Sequence, residues 1–347
     1  MSNELELPFL SNIGIVMTYK CQIACPHCIL EAGPDREEEI SIKDAYDWII
    51  QITNFRNKHI KVLSLTGGEP FYNMEKLKNI SDFADKSGLL VTAATNAFWA
   101  STPKKAVKIL EKLPEIRALQ ISADAYHQKY IPFRRVRNAI LAALKRGIPH
   151  YLAVCTENVD DEEYKQILKR LHELTTTDNI RTVITFPVGR ASKELANLNY
   201  QTSTEPPLSV CRACGYPVIF PDGRVIACIG PLITLHSKHP LLLGNLFEKP
   251  LNSIFDEAEL NPILHTLRIW GPKKLVYLIK EAGLGRYLPN RFVQNSVCYA
   301  CYAMMSCDKI VDFFDRLAND YEFKREVAYA RSYYLKENEM VIRLNFE

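Results

Sequence analysis

Over the first two hundred residues of this 347-residue chain, short β-rich segments alternate with stretches of helical periodicity. The segments are near-continuous apolar runs, which is typical of parallel strands that are covered by helices on both faces. Repeated β–α units of this kind predict an α/β fold whose sheet curls into a partial (β/α)6 barrel of the TIM type. The six predicted strands lie at 13–19, 59–66, 89–95, 117–122, 150–155 and 181–186.

Several unusual segments follow directly after the predicted strands. In barrels of this type the chemistry is carried by residues at the carboxyl ends of the strands. The sequence therefore predicts that residues 1–200 form an enzyme barrel. The segments are CQIACPHC (21–28), TGGEPF (66–71), TNAFW (95–99), SADAYH (122–127) and FPVGR (186–190).

Composition excludes several classes of protein. The net charge of +3 does not indicate nucleic-acid binding. The start, MSNELELPFLSN, lacks the basic and apolar regions of a secretion signal, and no apolar run is long enough for a membrane span. We therefore expect a soluble, cytoplasmic protein with no membrane contact.

The ten cysteines fall into three clusters, with Cys155 alone. In a reducing compartment, clustered cysteines are metal ligands or catalytic thiols more often than disulfides. In the first cluster, Cys21, Cys25 and Cys28 have the spacing C-x3-C-x2-C. Three thiolates leave one corner of a four-iron, four-sulfur cluster without a protein ligand. The alternative is a zinc site completed by His27.

The cysteine spacing together with TGGEP at the next strand end resembles the radical S-adenosylmethionine (SAM) superfamily, over about residues 10–190. The resemblance implies that SAM chelates the open iron of a [4Fe-4S] cluster. One electron, from a donor such as flavodoxin or ferredoxin, then cleaves SAM to a 5′-deoxyadenosyl radical, which abstracts a substrate hydrogen. The cofactor would supply this chemistry and the barrel would orient it.

The resemblance also implies which residues contact SAM. The glycines and the acid of GGEP would engage its amino group, and the residues after strands three and four would contact its ribose and carboxylate. His27 would pack near the adenine, and the segment after strand six would close over it. The implied contacts are His27, Gly67, Gly68, Glu69, Pro70, Asn96, Ser122, Asp124, Val188 and Arg190.

Each of these residues also has a structural alternative. The glycine pair can simply form a tight turn, Asp124 can cap a helix, and Arg190 can be a solvated charge. Asp124, Tyr126 and His127 are candidate catalytic residues toward the substrate, although the latter two also fit packing or surface positions. We expect Cys155 to be a small, buried, apolar side chain.

A polar linker at 199–209 separates the barrel from a second module, predicted at 208–310, and from a C-terminal helix at 311–347. The module begins with a hairpin whose turn contains Asp222-Gly223, and helical segments follow at 250–268 and 272–282.

The cysteines of this module resemble the SPASM or twitch auxiliary-cluster modules of radical SAM enzymes. The resemblance implies one auxiliary [4Fe-4S] cluster, with Cys214 able to replace Cys211. A zinc ribbon of the same four residues and a two-cluster module are the alternatives. The implied ligands are Cys211, Cys228, Cys298 and Cys301, which leaves Cys214 and Cys307 over.

The layout looks most like radical SAM enzymes that epimerise peptides, with an S-x-D-x-Y-H motif after strand four. In those enzymes a cysteine directly after the hairpin ligand returns the hydrogen; here Ile229 follows Cys228, so a donor would have to be Cys214 or Cys307. We therefore expect modification of a ribosomally synthesised peptide by epimerisation, cross-linking or oxidation. The alternatives are a dehydrogenase or epimerase of a small natural-product intermediate and a non-catalytic iron–sulfur redox protein.

Overall fold

The computed structural model of the protein describes residues 9–195 and 198–344. Its contacts divide the chain into two compact units. The first contains Met1–Asn199 and Val218–Arg224, and the second contains Tyr200–Pro217 and Val225–Glu347. The short hairpin segment 218–224 therefore belongs to the first unit, although it follows the linker in sequence.

The described residues contain eleven strands, numbered in chain order. They are β1 (Asn12–Val16), β2 (Val62–Thr66), β3 (Leu90–Thr95), β4 (Ile116–Ser122), β5 (His150–Thr156), β6 (Ile180–Ile184), β7 (Thr202–Ser203), β8 (Val218–Ile219), β9 (Arg224–Ile226), β10 (Leu242–Asn245) and β11 (Phe292–Val293).

The same residues contain fourteen α-helices. They are α1 (Ile42–Asn54), α2 (Met74–Lys86), α3 (Pro103–Glu111), α4 (Ala125–Gln128), α5 (Phe133–Arg146), α6 (Glu162–His172), α7 (Ala191–Glu194), α8 (Leu251–Glu259), α9 (Pro262–Ile269), α10 (Pro272–Glu281), α11 (Val297–Met305), α12 (Asp308–Leu317), α13 (Tyr321–Leu335) and α14 (Glu339–Leu344).

The first unit is built on six parallel strands that pair in chain order, β1 to β6. Strand β8 pairs in parallel with the free edge of β1, so β1 and β6 are not hydrogen-bonded to each other and the sheet stays open. This arrangement confirms the predicted α/β fold, and an open sheet of six β–α units is consistent with a partial barrel. Since all six strands run in one direction, their carboxyl ends gather at one edge.

Local sequence explains why the helices of this unit begin and end where they do. The hydroxyl of Ser41 accepts a hydrogen bond from the amide of Asp44 at 3.0 Å and caps α1, and Thr102 caps α3 ahead of Pro103. Helix α5 ends at Gly147, whose φ of 66° is a left-handed conformation that glycine adopts without strain.

The second unit is mainly helical. Strands β7 and β11 form an antiparallel pair, and α9 packs against α13. Arg331 on α13 is 4% exposed and forms ion pairs with Glu259 and Glu337, the second of which also binds Arg268 at 2.7 Å. Since an unpaired buried charge is costly, this network fixes α13 to the segment around α9.

Two helical predictions in this unit differ from the structure. The segment predicted at 250–268 is divided into α8 and α9, because the Asn261 side chain accepts from the amides of Ile263 and Leu264 and starts a new helix at Pro262. The single helix predicted at 311–347 is divided into α12, α13 and α14.

Asp320 causes the first of these C-terminal breaks, since its side chain accepts from the amide of Phe323 at 2.8 Å and caps α13. Lys336 ends α13 with a left-handed φ of 62°. Residues 345–347 lie outside the described part of the chain, as do residues 1–8, on which part of the prediction about a secretion signal rests. None of the described helices combines the length and apolarity required to cross a bilayer.

Candidate active site

The loop that follows β1 carries Cys21, Cys25 and Cys28. The amide of Cys21 donates to the carbonyl of Gly33 at 3.1 Å, and the amide of Cys28 donates to the carbonyl of Cys25 at 3.2 Å. Cys21 and Cys25 are each 5% exposed, and none of the three thiols is in a disulfide. The loop therefore presents three free thiols in a largely dry pocket at the carboxyl edge of the sheet.

Burial raises the pKa values of two of these thiols. It raises the pKa of Cys21 to about 12, with the charge of Glu69 adding to the shift, and it also raises the pKa of Cys28. Thiols in such surroundings stay protonated unless a metal displaces the proton, because coordination deprotonates a thiol outright. The donor set, three thiols within eight residues of one loop, suits an iron–sulfur cluster.

The glycine pair after β2 packs directly on this loop. The amide of Gly68 donates to the carbonyl of Thr18 at 2.7 Å. A Cβ on Gly67, whose φ is 147°, would lie 2.4 Å from the Thr18 carbonyl oxygen, and one on Gly68 would lie 2.4 Å from that of Lys20. Real side-chain atoms do not approach backbone this closely. Both glycines are therefore required for the two loops to meet.

Glu69 is fully buried and joins the ends of β2 and β3. One carboxylate oxygen accepts from the Phe71 amide at 3.1 Å and the Thr95 hydroxyl at 2.9 Å, and the other accepts from the Asn96 amide at 2.8 Å. Burial raises the pKa of Glu69 to about 7, although these hydrogen bonds oppose the shift. No basic side chain of the described residues forms an ion pair with it. Pro70, the next residue, is buried and begins a short 3-10 helix.

Asn96, at the end of β3, is in contact with the cysteine loop. Its Nδ2 lies 3.6 Å from the Sγ of Cys21, and its Oδ1 accepts from Gln22 at 2.8 Å. Asn96 therefore contacts the cysteine loop in this structure, and a contact with ribose stays a prediction. The same holds for Ser122, which is half-buried at the end of β4.

Asp124 and His127 form a buried pair after β4. Asp124 caps α4 by accepting from the His127 amide, and its two oxygens lie 2.9 and 2.8 Å from Nδ1 of the same residue. Burial disfavours the Asp124 carboxylate, but the adjacent His127 more than offsets it and holds the Asp124 pKa below its usual range. The carboxylate in turn raises the pKa of His127 against the effect of burial. The capping prediction for Asp124 is confirmed.

His27 lies between this pair and Tyr126. Its ring stacks on Tyr126 with centroids 4.6 Å apart, and its Nε2 is 3.8 Å from Asp124. Burial lowers the pKa of His27 to about 4, so the ring is neutral. Its Nδ1 is buried and has no hydrogen-bond partner among the described residues. Since buried polar atoms are normally paired, this atom indicates a place for a ligand or an ordered water.

The segment after β6, residues 186–190, is hydrogen-bonded to the cysteine loop. The guanidinium of Arg190 donates to the carbonyls of Cys25 at 2.8 Å and Ala32 at 2.7 Å, so it is not a freely solvated charge. Gly189, with φ of 58°, approaches the Cys28 carbonyl so closely that a Cβ would lie 2.8 Å from it. Val188 is buried beside them. These hydrogen bonds were not predictable from the sequence, because Arg190 and its partners lie more than 150 residues apart along the chain.

The first unit contains a cavity of about 480 Å³ beside α4. Tyr126, Cys155 and Glu157 line it, and the Tyr126 hydroxyl donates to Glu157 at 2.5 Å. Cys155 is half-buried, and its sulfur lies within 4.8 Å of Asp124 and His27 side-chain atoms. The expectation that Cys155 is only a packing residue was therefore incomplete, because it lies on the wall of a polar cavity.

The second unit brings five cysteines together. Cys214 Sγ donates to the Cys211 carbonyl at 3.1 Å, and the neighbouring Cys214 side chain lowers the pKa of Cys211 to about 7. Burial raises the pKa of Cys298 to about 11. The thiols of Cys228 and Cys301 both interact electrostatically with Cys211 and Cys298. The four predicted ligands thus lie close enough to interact electrostatically, and Cys214 interacts in the same way with Cys211 and Cys228.

Cys307 is in a different situation. It precedes α12 as the N-terminal capping residue, without a side-chain cap, and no interaction of its thiol with the five clustered cysteines is found in the described residues. Of the two cysteines that the sequence left over, Cys214 therefore joins the cluster of thiols and Cys307 does not.

Comparison with known proteins was made on sequence and on fold. A peptide biosynthesis protein of Bacillus subtilis, named YydG, is 23% identical over 313 residues, which cover 87% of this chain and 94% of YydG. Among solved structures, BtrN in complex with AdoMet and 2-DOIA aligns with a TM-score of 0.43 and 12% identity, covering 76% of this chain and 89% of BtrN. The Pseudomonas stutzeri endoglucanase Cel5A aligns with a TM-score of 0.28 and 13% identity over 49% of this chain and 59% of Cel5A.

The family comparison concerns the first unit. The profile of the Radical SAM superfamily matches residues 15–171, a range that includes the cysteine loop, the glycine turn and the buried Asp124–His127 pair. The match covers most of the residues that form the site, so this region of the chain is similar to the Radical SAM superfamily.

Proposed function

We propose that this protein is a radical SAM enzyme that modifies a peptide. The observation that carries the proposal is the similarity to YydG, which extends over 87% of this chain and so includes both units. A shared catalytic domain alone would say little about the substrate, since one fold serves many reactions. Similarity along nearly the whole length also covers the second unit, where the five clustered cysteines lie.

Cys21, Cys25 and Cys28 would hold a [4Fe-4S] cluster with one iron open to SAM. When bound, the cluster and SAM supply a 5′-deoxyadenosyl radical that takes a hydrogen atom from the substrate. Glu69 would pair with the amino group of SAM, since it is an ionisable buried carboxylate that forms no ion pair with a basic side chain of the described residues. His27 would present its unpartnered Nδ1 to the same ligand.

The other residues of the site fix these groups in place. Arg190 holds the cysteine loop through two carbonyls, and the glycines at 67 and 68 let the neighbouring turn lie against it. The cavity beside Tyr126 has room for an amino-acid side chain and a polar wall that can hydrogen-bond to a peptide. Substrate residues placed there would lie close to Asp124 and His27.

In the second unit we propose one auxiliary [4Fe-4S] cluster, with ligands drawn from the five clustered cysteines. Four of them suffice, so Cys214 either replaces Cys211 as a ligand or hydrogen-bonds to it, as it does here. A small reducing protein such as flavodoxin or ferredoxin would supply electrons. Cys307, outside the thiol cluster, is the remaining candidate for a hydrogen-atom donor.

The proposal is tested by incubating anaerobically reconstituted protein with SAM, dithionite and short peptides encoded beside its gene, in deuterated water. Peptide modification predicts a mass change in one peptide together with 5′-deoxyadenosine. Deuterium at an α-carbon identifies epimerisation, and a loss of two hydrogens identifies oxidation or cross-linking. Turnover of a small natural-product intermediate, with every peptide unchanged, would contradict the proposal.

A further inference from the structure

Each of the three sulfurs in the cysteine loop lies beside a hydrogen-bond donor. Asn96 Nδ2 is 3.6 Å from the Sγ of Cys21, and the Ala32 amide donates to the Sγ of Cys28 at 3.4 Å. For Cys25 the neighbours are His27 and His127, each of which has a ring nitrogen within 4.8 Å of the sulfur, and of the two only His127 is held by a carboxylate within 3 Å of its ring. Two sulfurs thus have donors in place, and His127 is the group positioned for the third.

Asp124 determines which nitrogen of His127 is available. The carboxylate holds Nδ1 at 2.8 and 2.9 Å and also accepts from the backbone amide of His127. Nε2 is therefore the nitrogen left for Cys25. Since Asp124 is fully buried, water does not compete for its carboxylate. The carboxylate therefore fixes the orientation of the His127 ring.

We propose that His127, oriented by Asp124, donates a hydrogen bond to the sulfur of Cys25 and thereby raises the reduction potential of the cluster that this loop would hold. The inference rests on the proposed function, since it requires that cluster. Hydrogen bonds to the ligand sulfurs are among the factors that set iron–sulfur potentials. A donor withdraws electron density from the thiolate, so it stabilises the reduced state.

This role differs from the sequence-based expectation that His127 acts on the substrate. The His127 side chain is 18% exposed and is held by the fully buried Asp124, with a ring nitrogen within 4.8 Å of the Cys25 sulfur, so it acts through Cys25 as a positioning residue. The ring is flanked by two acceptors, the Asp124 carboxylate and a cluster-bound thiolate, which an imidazole satisfies only by donating from both nitrogens.

The test is an EPR-monitored redox titration of the reconstituted protein without any peptide. The signal that changes on addition of SAM identifies the cluster of the cysteine loop. For H127F we expect a potential lowered by on the order of 59 mV, which is a tenfold change in the reduced-to-oxidised ratio of a one-electron couple. H127Q keeps an N–H donor and should lie closer to the wild type. K104A, which alters an exposed side chain on α3, is the control and should leave the potential unchanged.

Equal potentials in the wild type and H127F, at equal iron content, would overturn the inference. If H127F assembles no cluster, D124N decides the question, because it removes the charge that orients the ring. An unchanged potential in D124N would then overturn the inference, and a lowered one would support it. Since no substrate is present, none of these outcomes bears on peptide modification, which is judged separately by the product.

Discussion

At the scale of single residues, two buried carboxylates near the cysteine loop are in opposite electrostatic situations. Burial raises the pKa of Glu69, whereas the neighbouring His127 overcomes burial and holds the pKa of Asp124 low. Asp124 is thus already neutralised by a side chain, and Glu69 is not. This difference, which the sequence motif alone does not show, makes Glu69 the carboxylate suited to a cationic group on a ligand.

The pKa of Glu69 predicts a pH dependence of SAM binding. A carboxylate with a pKa of about 7 in the free protein takes up a proton as the pH falls through 7 and loses the charge that attracts an ammonium. SAM affinity, measured by equilibrium dialysis, should therefore be constant above pH 8. Below pH 7 it should fall by up to about tenfold per pH unit.

Glu69→Gln is the matched variant for this prediction. It should bind SAM more weakly at pH 8, by about 1.5–3 kcal/mol for the loss of a charge-assisted hydrogen bond, and without the pH dependence. Equal affinities of the wild type at pH 8 and pH 6 would show that Glu69 serves only to join the ends of its two strands.

At the scale of secondary-structure elements, the sequence was sufficient for the parallel sheet but not for every helix. The six strands were predictable because apolar runs of β-forming residues are bounded by turn and cap signals. The divisions at Asn261 and Asp320 were missed because helical periodicity continues across them, and only the capping contacts show that the chain changes direction. The contacts of Asn96 and Arg190 with the cysteine loop were equally hidden, since they join distant segments.

The turn after β2 gives a prediction at this scale. In Gly68→Ala the new methyl group would lie 2.4 Å from the carbonyl oxygen of Lys20, which belongs to the backbone that leads into Cys21. The two loops must then separate, at a cost of about 1–3 kcal/mol. We expect a lower melting temperature and a lower iron content after reconstitution. Gly285→Ala, at a glycine without a left-handed φ whose added Cβ would meet no atom closer than 3.6 Å, is the control for added side-chain bulk, and it should reconstitute normally.

If Gly68→Ala retains full iron content and wild-type stability, the close approach of the two loops is not needed for assembly of the site.

At the scale of the whole molecule, each unit gathers its own set of thiols. The first unit contributes three cysteines from one loop, and the second contributes five from distant segments. Sequence spacing was sufficient to group the first set, because its three cysteines lie within eight residues. It identified the second set incompletely, because the inclusion of Cys214 and the separation of Cys307 depend on how the chain folds back.

Because the two sets of cysteines belong to different units, we predict that either set can be removed without loss of the other. The double variant Cys298→Ala/Cys301→Ala should lose about half of the iron and sulfide, since each set is proposed to hold one four-iron cluster. The absorption and EPR signals that respond to SAM should remain. Loss of all iron in this variant would show that the two sites do not assemble separately, and full retention would show that these cysteines hold no cluster.

The central claim is that Cys21, Cys25 and Cys28 support reductive cleavage of SAM. It is tested most directly by measuring 5′-deoxyadenosine after anaerobic reconstitution, reduction with dithionite and addition of SAM. The wild type should form 5′-deoxyadenosine, and the variant in which all three cysteines are replaced by Ala should form none while it keeps about half of the iron. Formation of 5′-deoxyadenosine by the triple variant, or none by the fully loaded wild type, would contradict the account.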